Sequence, residues 1–140
     1  MAGGVRDLKV WQEAVALAGE VVRAIRQAAR RETKTVTDTV ALTALTVATH
    51  IADGYGQFTA PEQRQLYRAA KRELQRLETQ LAILRHAELL PINTHAELLK
   101  RVHTVARLLA GYVVYLERQR ANEAEDDEAA LNPAASSSTT

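Results

Sequence analysis

The sequence contains no cysteine. Disulfide bonds, thiolate zinc sites and cysteine nucleophiles are therefore excluded. Aromatic residues make up only 4% of the chain, which is rich in Ala, Leu, Arg and Glu, as is typical of helical proteins and not of β-sheets. No run approaches the roughly 18 consecutive apolar residues of a membrane span, and the N-terminus lacks the pattern of a signal peptide. We expect a cytoplasmic protein with no membrane partner.

The chain of 140 residues is long enough for one four-helix core and too short for two. All 18 basic residues lie before position 121, beside 12 of the 17 acids. The last 20 residues hold the other five acids, a proline and a run of Ser and Thr. This composition predicts a flexible N-terminus over residues 1–6, a basic bundle over 7–120, and a disordered acidic tail over 121–140.

Residues 8–31 show apolar side chains at alternating spacings of three and four, which predicts a first helix. Asp7 is a candidate cap for its start. Its predicted apolar seam consists of Leu8, Trp11, Val15, Ala18, Val22, Ile25 and Ala29.

A second helix is predicted over residues 36–53, and it has no charged residue between Thr39 and Ala52. A helix on the outside of a monomeric bundle should show a charged face. We therefore expect one side of this helix to pack in its own bundle and another side to contact a second subunit. A buried central helix in a monomer is the alternative. The candidate interface residues are Val40, Leu42, Leu45 and Val47.

The corner after this helix contains Asp53, Gly54, Tyr55 and Gly56. The two glycines can adopt the positive φ values that end a helix, while Thr59 and Glu62 have the spacing of a capping box. The corner lacks the glycine spacing of a dinucleotide fingerprint and the Lys-Ser/Thr pair of a P-loop. It is interpreted as a turn between helices.

Two more helices follow, one from Thr59 to about Leu90 and one that begins at a Thr94–Glu97 capping box. Pro91 is expected to end the third helix. Its seam contains Leu66, Ala70, Leu74, Leu77, Leu81 and Leu84; that of the fourth contains Leu98, Val102, Val105, Leu109, Tyr112 and Leu116. Short connections make sequential helices antiparallel, which predicts an all-α fold, an antiparallel up-down-up-down four-helix bundle.

Basic side chains concentrate on the third helix, where several lie three or four residues apart and only Arg76 has an acid, Glu73, at pairing distance. Such repulsion is relieved when phosphate backbone neutralises it, so RNA or DNA is the expected partner. The alternatives are a solvated face, acids of a neighbouring subunit, the acidic tail or a protein partner. Tyr67 is the one aromatic candidate beside the arginines, so we expect backbone binding with weak sequence preference and not base stacking. The candidate residues are Arg64, Arg68, Lys71, Arg72 and Arg76, with a second stripe of Arg23, Arg26 and Arg30 on the first helix.

No catalytic or metal-binding pattern is present. The Glu-x-x-His pairs that hold metals in helical bundles are absent, and so is His-Glu-x-x-His. The four histidines are scattered over three predicted helices and are interpreted as surface residues. We expect no enzyme activity, no cofactor and no metal.

Three segments resemble the 23S ribosomal RNA intervening-sequence protein family, which is also called the four-helix bundle protein family. They are Leu8-x-Val10-Trp11-Gln12-x-Ala14, Ile51-Ala52-Asp53-Gly54-Tyr55-Gly56 and Leu74-x-x-Leu77-Glu78-Thr79-Gln80-Leu81. The resemblance covers residues 7–118, and the corner is its specific part. It implies a homopentameric ring of four-helix bundles, no known enzyme activity, and kinship with the accessory variability protein of diversity-generating retroelements, a basic pentamer that partners nucleic acid.

The corner departs from the family pattern at three positions, where His50, Asp53 and Gln57 replace Asn, Glu and Arg. A family Arg-Arg pair falls on Ala41-Leu42. Basic side chains that the family carries on helix two are therefore neutral here, and any basic surface shifts to helices one and three.

Overall fold

The computed structural model describes residues 3–131. Within this range the chain forms four α-helices and no strand, which confirms the all-α prediction. The helices are α1 (Lys9–Ala28), α2 (Lys34–Tyr55), α3 (Ala60–His86) and α4 (Ile92–Leu131), with short 3₁₀ turns at Val5–Asp7 and Arg31–Thr33. None of these helices has the length and hydropathy needed to cross a membrane.

The residues up to Leu109 form one compact unit, and the rest of α4 forms another. In the first unit α2 packs against both α1 and α3. The first half of α4 is tied to α1 by an Arg101–Glu13 ion pair of 3.9 Å, and to α3 by a His103–Glu78 contact of 3.0 Å. Buried apolar side chains from all four helices form the core of this unit.

Much of the buried face of α1 is shifted by one position along the sequence from the predicted seam. Val15 and Val22 are exposed, whereas the positions just before them, Ala14 and Val21, are buried. The reason is that α1 carries apolar residues at adjacent positions, so two overlapping seams fit the same spacing and packing selects one. The buried residues are Val10, Ala14, Leu17, Ala18, Val21, Ile25 and Ala28.

The predicted cap of α1 is also wrong. Asp7 lies in the 3₁₀ turn, and the helix begins after Leu8, which makes no side-chain cap. Val5 and Arg6 belong to the same 3₁₀ turn, and the flexibility of residues 1–6 stays a prediction. Residues 1 and 2 lie outside the described range.

The corner between α2 and α3 is present, but its glycines do not adopt positive φ. Gly54 lies inside the last turn of α2, and Gly56 is the C-cap with a φ of −80°, its N–H donating to Ala52 O. The expectation of left-handed glycines is therefore wrong. Thr59 does cap α3, since its Oγ1 accepts a hydrogen bond of 3.3 Å from the N–H of Glu62.

The C-terminus of α3 is set by a Schellman motif and not by Pro91. The helix ends at His86, and Glu88 has a φ of 62°. The N–H of Leu89 donates to Leu84 O at 2.8 Å, and that of Glu88 to Arg85 O at 3.0 Å, which is the hydrogen-bond pattern of this motif. The chain therefore leaves the helix four residues earlier than predicted.

The start of α4 also differs from the prediction. The helix begins at Ile92, and the N–H of His95 donates to Pro91 O, so Thr94 lies in the first turn and is not the cap. Pro91 supplies the first carbonyl acceptor, which a proline can do because it lacks only the N–H.

The predicted cores of α3 and the first half of α4 are largely confirmed. Tyr67 is buried on α3 in place of Leu66, which is half-buried. Tyr112 and Leu116 are half-buried as well. The confirmed buried residues are Ala70, Leu74, Leu77, Leu81, Leu84, Leu98, Val102, Val105 and Leu109.

The acidic segment is helical further than predicted. Residues 121–131 continue α4 to Leu131, and every one of them is exposed. Ala, Glu and Leu have high intrinsic helix propensity, so this segment propagates the helix with no buried face. The rest of the predicted tail, residues 132–140, lies outside the described range.

Candidate nucleic-acid interface and outer face of α2

Three arginines form one row along α3. Arg64, Arg68 and Arg72 are spaced by four residues, which separates successive side chains by about 6 Å along the helix axis. With Pro61 and Gln65 they line a shallow depression of about 500 Å³. We call this surface, together with Lys71, the basic face. It gathers four of the five cationic residues that the sequence predicted on this helix.

Three residues of the basic face carry uncompensated charge. Arg76 pairs with Glu73 at 3.1 Å, as its spacing predicted. By contrast, Arg68, Lys71 and Arg72 are exposed, and none of the three makes a hydrogen bond or an ion pair with any other residue between positions 3 and 131. Like charges at these spacings repel each other. An anion that bound here would relieve the repulsion.

The second predicted stripe does not exist as a stripe. Arg30 lies beyond the end of α1, where its Nη1 donates to Ala28 O at 3.5 Å and Ala29 O at 3.3 Å. Arg23 is paired with Glu20 at 3.4 Å. Arg26 alone is an exposed helical cation with no such contact in the described chain. The α1 cations therefore serve mainly local contacts, including those at the helix C-terminus.

The aromatic residue that the sequence places among the α3 arginines does not contribute to their exposed surface. Tyr67 is buried, and its ring packs on the backbone of α2 at Gly54. The sequence did contain a signal for this, because Tyr67 continues the spacing of Ala70, Leu74 and Leu77. Instead, Phe58 is fully exposed, one residue before the Thr59 cap of α3.

We call the exposed residues Thr39, Leu42, Leu45 and Thr49 the outer face of α2, and this surface contains half of the predicted interface residues. Leu42 is 63% exposed and Leu45 is 48% exposed, whereas Val40 and Val47 are buried in the core of their own chain. Side chains two positions apart on an α-helix point in directions that differ by about 200°. Leu42 therefore lies opposite Val40, and Leu45 lies opposite Val47. The prediction of Val40 and Val47 as subunit contacts is therefore wrong, because the intrachain core already covers them.

Most threonine hydroxyls of α2 donate hydrogen bonds to main-chain carbonyls near them in the sequence. Thr39 donates to Thr35 O at 2.8 Å, and Thr46 donates to Leu42 O at 2.7 Å. Thr37, Thr43 and Thr49 make equivalent bonds to carbonyls three or four residues back. A threonine bonded in this way needs no further partner for its hydroxyl. The outer face of α2 carries no charged side chain, and its threonine hydroxyls donate their protons within the helix.

A larger cleft of about 730 Å³ lies beside the end of α1 and the α3–α4 connection. Arg30 and Arg85 line it, but so does Glu88, and Arg85 lies in the last turn of α3, where a cation complements the helix dipole. Among residues 3–131, no three His, Asp or Glu side chains lie close enough to hold a metal ion.

Comparison with known families identifies the chain. The model of the 23S rRNA-intervening sequence protein family matches residues 6–111, which is most of the sequence. This chain belongs to the 23S rRNA-intervening sequence protein family. The match confirms the resemblance seen in the three segments. It includes α1, α2, α3 and the buried part of α4, and so it contains the basic face and the outer face of α2. No protein of curated function matches the chain.

Proposed function

We propose that this family member is a non-enzymatic oligomer that binds the phosphate backbone of nucleic acid through the basic face of α3. The observation that carries the proposal is the exposed, uncompensated charge of Arg68, Lys71 and Arg72. Guanidinium groups match phosphate geometry through paired N–H donors, and neutralising phosphates releases counterions. A row with one arginine per helical turn can follow a backbone with little sequence preference.

The same proposal includes self-association through the outer face of α2. Leu42 and Leu45 remain exposed on a surface with no charged side chain between Thr39 and Ala52. An apolar patch that is free of charge is typical of a contact surface. We propose an up-down-up-down bundle assembled as a homopentameric ring, as the sequence motifs imply. The kinship with the accessory variability protein stays a prediction.

The test is the salt dependence of binding. Fluorescence anisotropy with a labelled RNA hairpin and a duplex DNA at low salt should detect binding. Charge reversal by Arg72→Glu should weaken it and lower the slope of log affinity against log salt by about 1. Arg107→Glu is the matched control, because this exposed α4 residue changes net charge equally and lies on another helix. No binding of the wild type at low salt would contradict the proposal.

A second candidate is a structural or protein-interaction oligomer with no nucleic-acid role. The outer face of α2 favours it, because that surface fits a subunit or protein contact equally well. In this case assembly would persist while nucleic acid failed to bind. Assembly that also dissociated in high salt would indicate that the basic face pairs with acids of a neighbouring subunit.

A further inference from the structure

Phe58 is the single phenylalanine of the chain, and its side chain is completely exposed. It lies in the short connection between α2 and α3, where the fold gives it nothing to pack against. Burying a phenylalanine side chain stabilises a fold, and this chain leaves that stabilisation unused. An exposed aromatic ring of this kind is available to a binding partner.

The position of Phe58 relates it to the basic face. Thr59 follows it as the cap of α3, and Pro61, in the first turn of the same helix, lines the depression that also contains Arg64, Arg68 and Arg72. Arg64 lies about 7.5 Å further along the helix axis than the cap. An exposed aromatic residue therefore directly precedes the cap of the helix that carries the basic face.

The combination of an aromatic platform and a cationic row is characteristic of proteins that bind single strands. In a duplex every base is stacked on its neighbours, so a protein ring gains a base only by unstacking one. In a single strand or an unpaired loop the base is already accessible. Phosphates could then contact the arginines while one base stacks on the ring.

We infer that Phe58 is the base-stacking residue of the basic face, and that the ligand class is single-stranded nucleic acid. This inference rests on the proposed function and narrows it, because backbone contacts alone do not distinguish a single strand from a duplex. Arg68, Lys71 and Arg72 supply the salt-dependent part of the affinity, and Phe58 supplies the preference for unpaired bases.

The experiment compares two RNA probes, a single-stranded 12-mer that contains 2-aminopurine and the same strand in a perfect duplex. Wild-type protein should bind the single strand more tightly and change its 2-aminopurine fluorescence through stacking. Phe58→Ala should weaken single-strand binding by about 5- to 100-fold, with duplex affinity and salt slope unchanged. Phe58→Trp should restore single-strand binding. A DNA version of both probes distinguishes RNA from DNA as the source.

Two controls keep the result specific. Ile92→Ala removes another exposed apolar side chain, 66% exposed at the start of α4, and should change neither affinity. Solution mass by light scattering should be the same for Phe58→Ala and wild type. A changed mass would overturn the inference by assigning Phe58 to a subunit contact.

Failure of this inference is distinguishable from failure of the proposed function. If the wild type binds duplex at least as tightly as the single strand, or if Phe58→Ala binds the single strand like wild type, the stacking role is wrong and backbone binding stands. If the wild type binds neither probe at low salt, the proposed function is wrong and the stacking role falls with it.

Discussion

Gly54 of α2 lies directly against the ring of Tyr67 on α3: a Cβ atom placed on this glycine would be 2.5 Å from Tyr67 Cε1. Both residues are buried, and their helices pack along their length. The glycine therefore serves the close approach of the two helices at the corner. It does not serve the turn itself.

Replacing this glycine tests that role. We expect Gly54→Ala to destabilise the protein by up to about 2 kcal/mol, because an overpacking cost of about 1–3 kcal/mol opposes a gain of about 1 kcal/mol in helix propensity. Gly19→Ala is the matched control, since nothing lies within 4 Å of its added Cβ, and it should stabilise α1. Urea denaturation followed by circular dichroism measures both. Equal effects of the two substitutions would show that the Tyr67 ring moves to accommodate the added methyl group without lowering the free energy of unfolding.

The left-handed residue at the end of α3 gives a second prediction. Glu88 has a φ of 62°, a conformation that costs a residue with a side chain about 1–2 kcal/mol and costs glycine little. Glu88→Gly should therefore raise the free energy of unfolding by about 1 kcal/mol. Glu88→Ala removes the same carboxylate and keeps the backbone cost, so it should not stabilise. If both variants behave alike in thermal denaturation, the charge and not the backbone is responsible.

The outer face of α2 gives a third prediction. We expect the double change Leu42→Glu and Leu45→Glu to reduce the solution mass to that of one chain, 15.4 kDa, because it places charges in an apolar contact. Helix content should be retained, since both side chains are exposed in the single chain. Thr46→Val should leave the mass unchanged, because the lost hydroxyl bonds only to its own helix. A wild-type mass of 15.4 kDa would contradict the proposed assembly.

The fourth prediction concerns the acid beside the basic face. Glu73 pairs with Arg76 at 3.1 Å. Glu73→Gln should release this arginine and raise affinity for nucleic acid by about two- to five-fold at low salt, in line with the value of an exposed ion pair. Glu20→Gln releases Arg23 on α1 with the same change in net charge. An equal increase for both variants in anisotropy titrations would mean that net charge alone matters.

The parts of the fold that could be predicted are those where apolar residues are isolated by polar ones. On α3, Leu74 and Leu77 are each flanked by polar neighbours, so a single seam fits and the structure confirms it. On α1 apolar residues occur in adjacent pairs such as Ala14 and Val15. Periodicity could not show which residue of each pair is buried, because that depends on where the neighbouring helices pack.

The helix ends were harder to predict because several residues can perform the same task. Pro91 is a strong stop signal, yet the chain had already left α3 through Glu88, which takes a conformation usually left to glycine. At the corner the opposite occurred, and Gly54 was used for packing. Residue type limits the conformations that are possible at such positions, and tertiary contacts determine which of them the chain adopts.

For the candidate site, the charges on α3 and the Arg76–Glu73 pair could be predicted from spacing alone. The exposure of Phe58 could not, because one aromatic residue in a short connection has no periodicity that shows its direction. The pairing of Arg23 with Glu20 was readable from their spacing, whereas the exit of Arg30 from α1 depended on a helix end.

The internal hydrogen bonds of the α2 threonines have a consequence for assembly geometry. Hydrogen bonds are directional, whereas apolar contacts are not. Since these hydroxyls already donate their protons to carbonyls of the same helix, a neighbouring subunit on this surface would find no free hydroxyl donor there and would be held mainly by apolar contacts. The angle between subunits, and with it the number that closes a ring, would then depend on the volumes of Leu42 and Leu45. Changing the size of these side chains while keeping them apolar should alter the subunit number before it abolishes assembly.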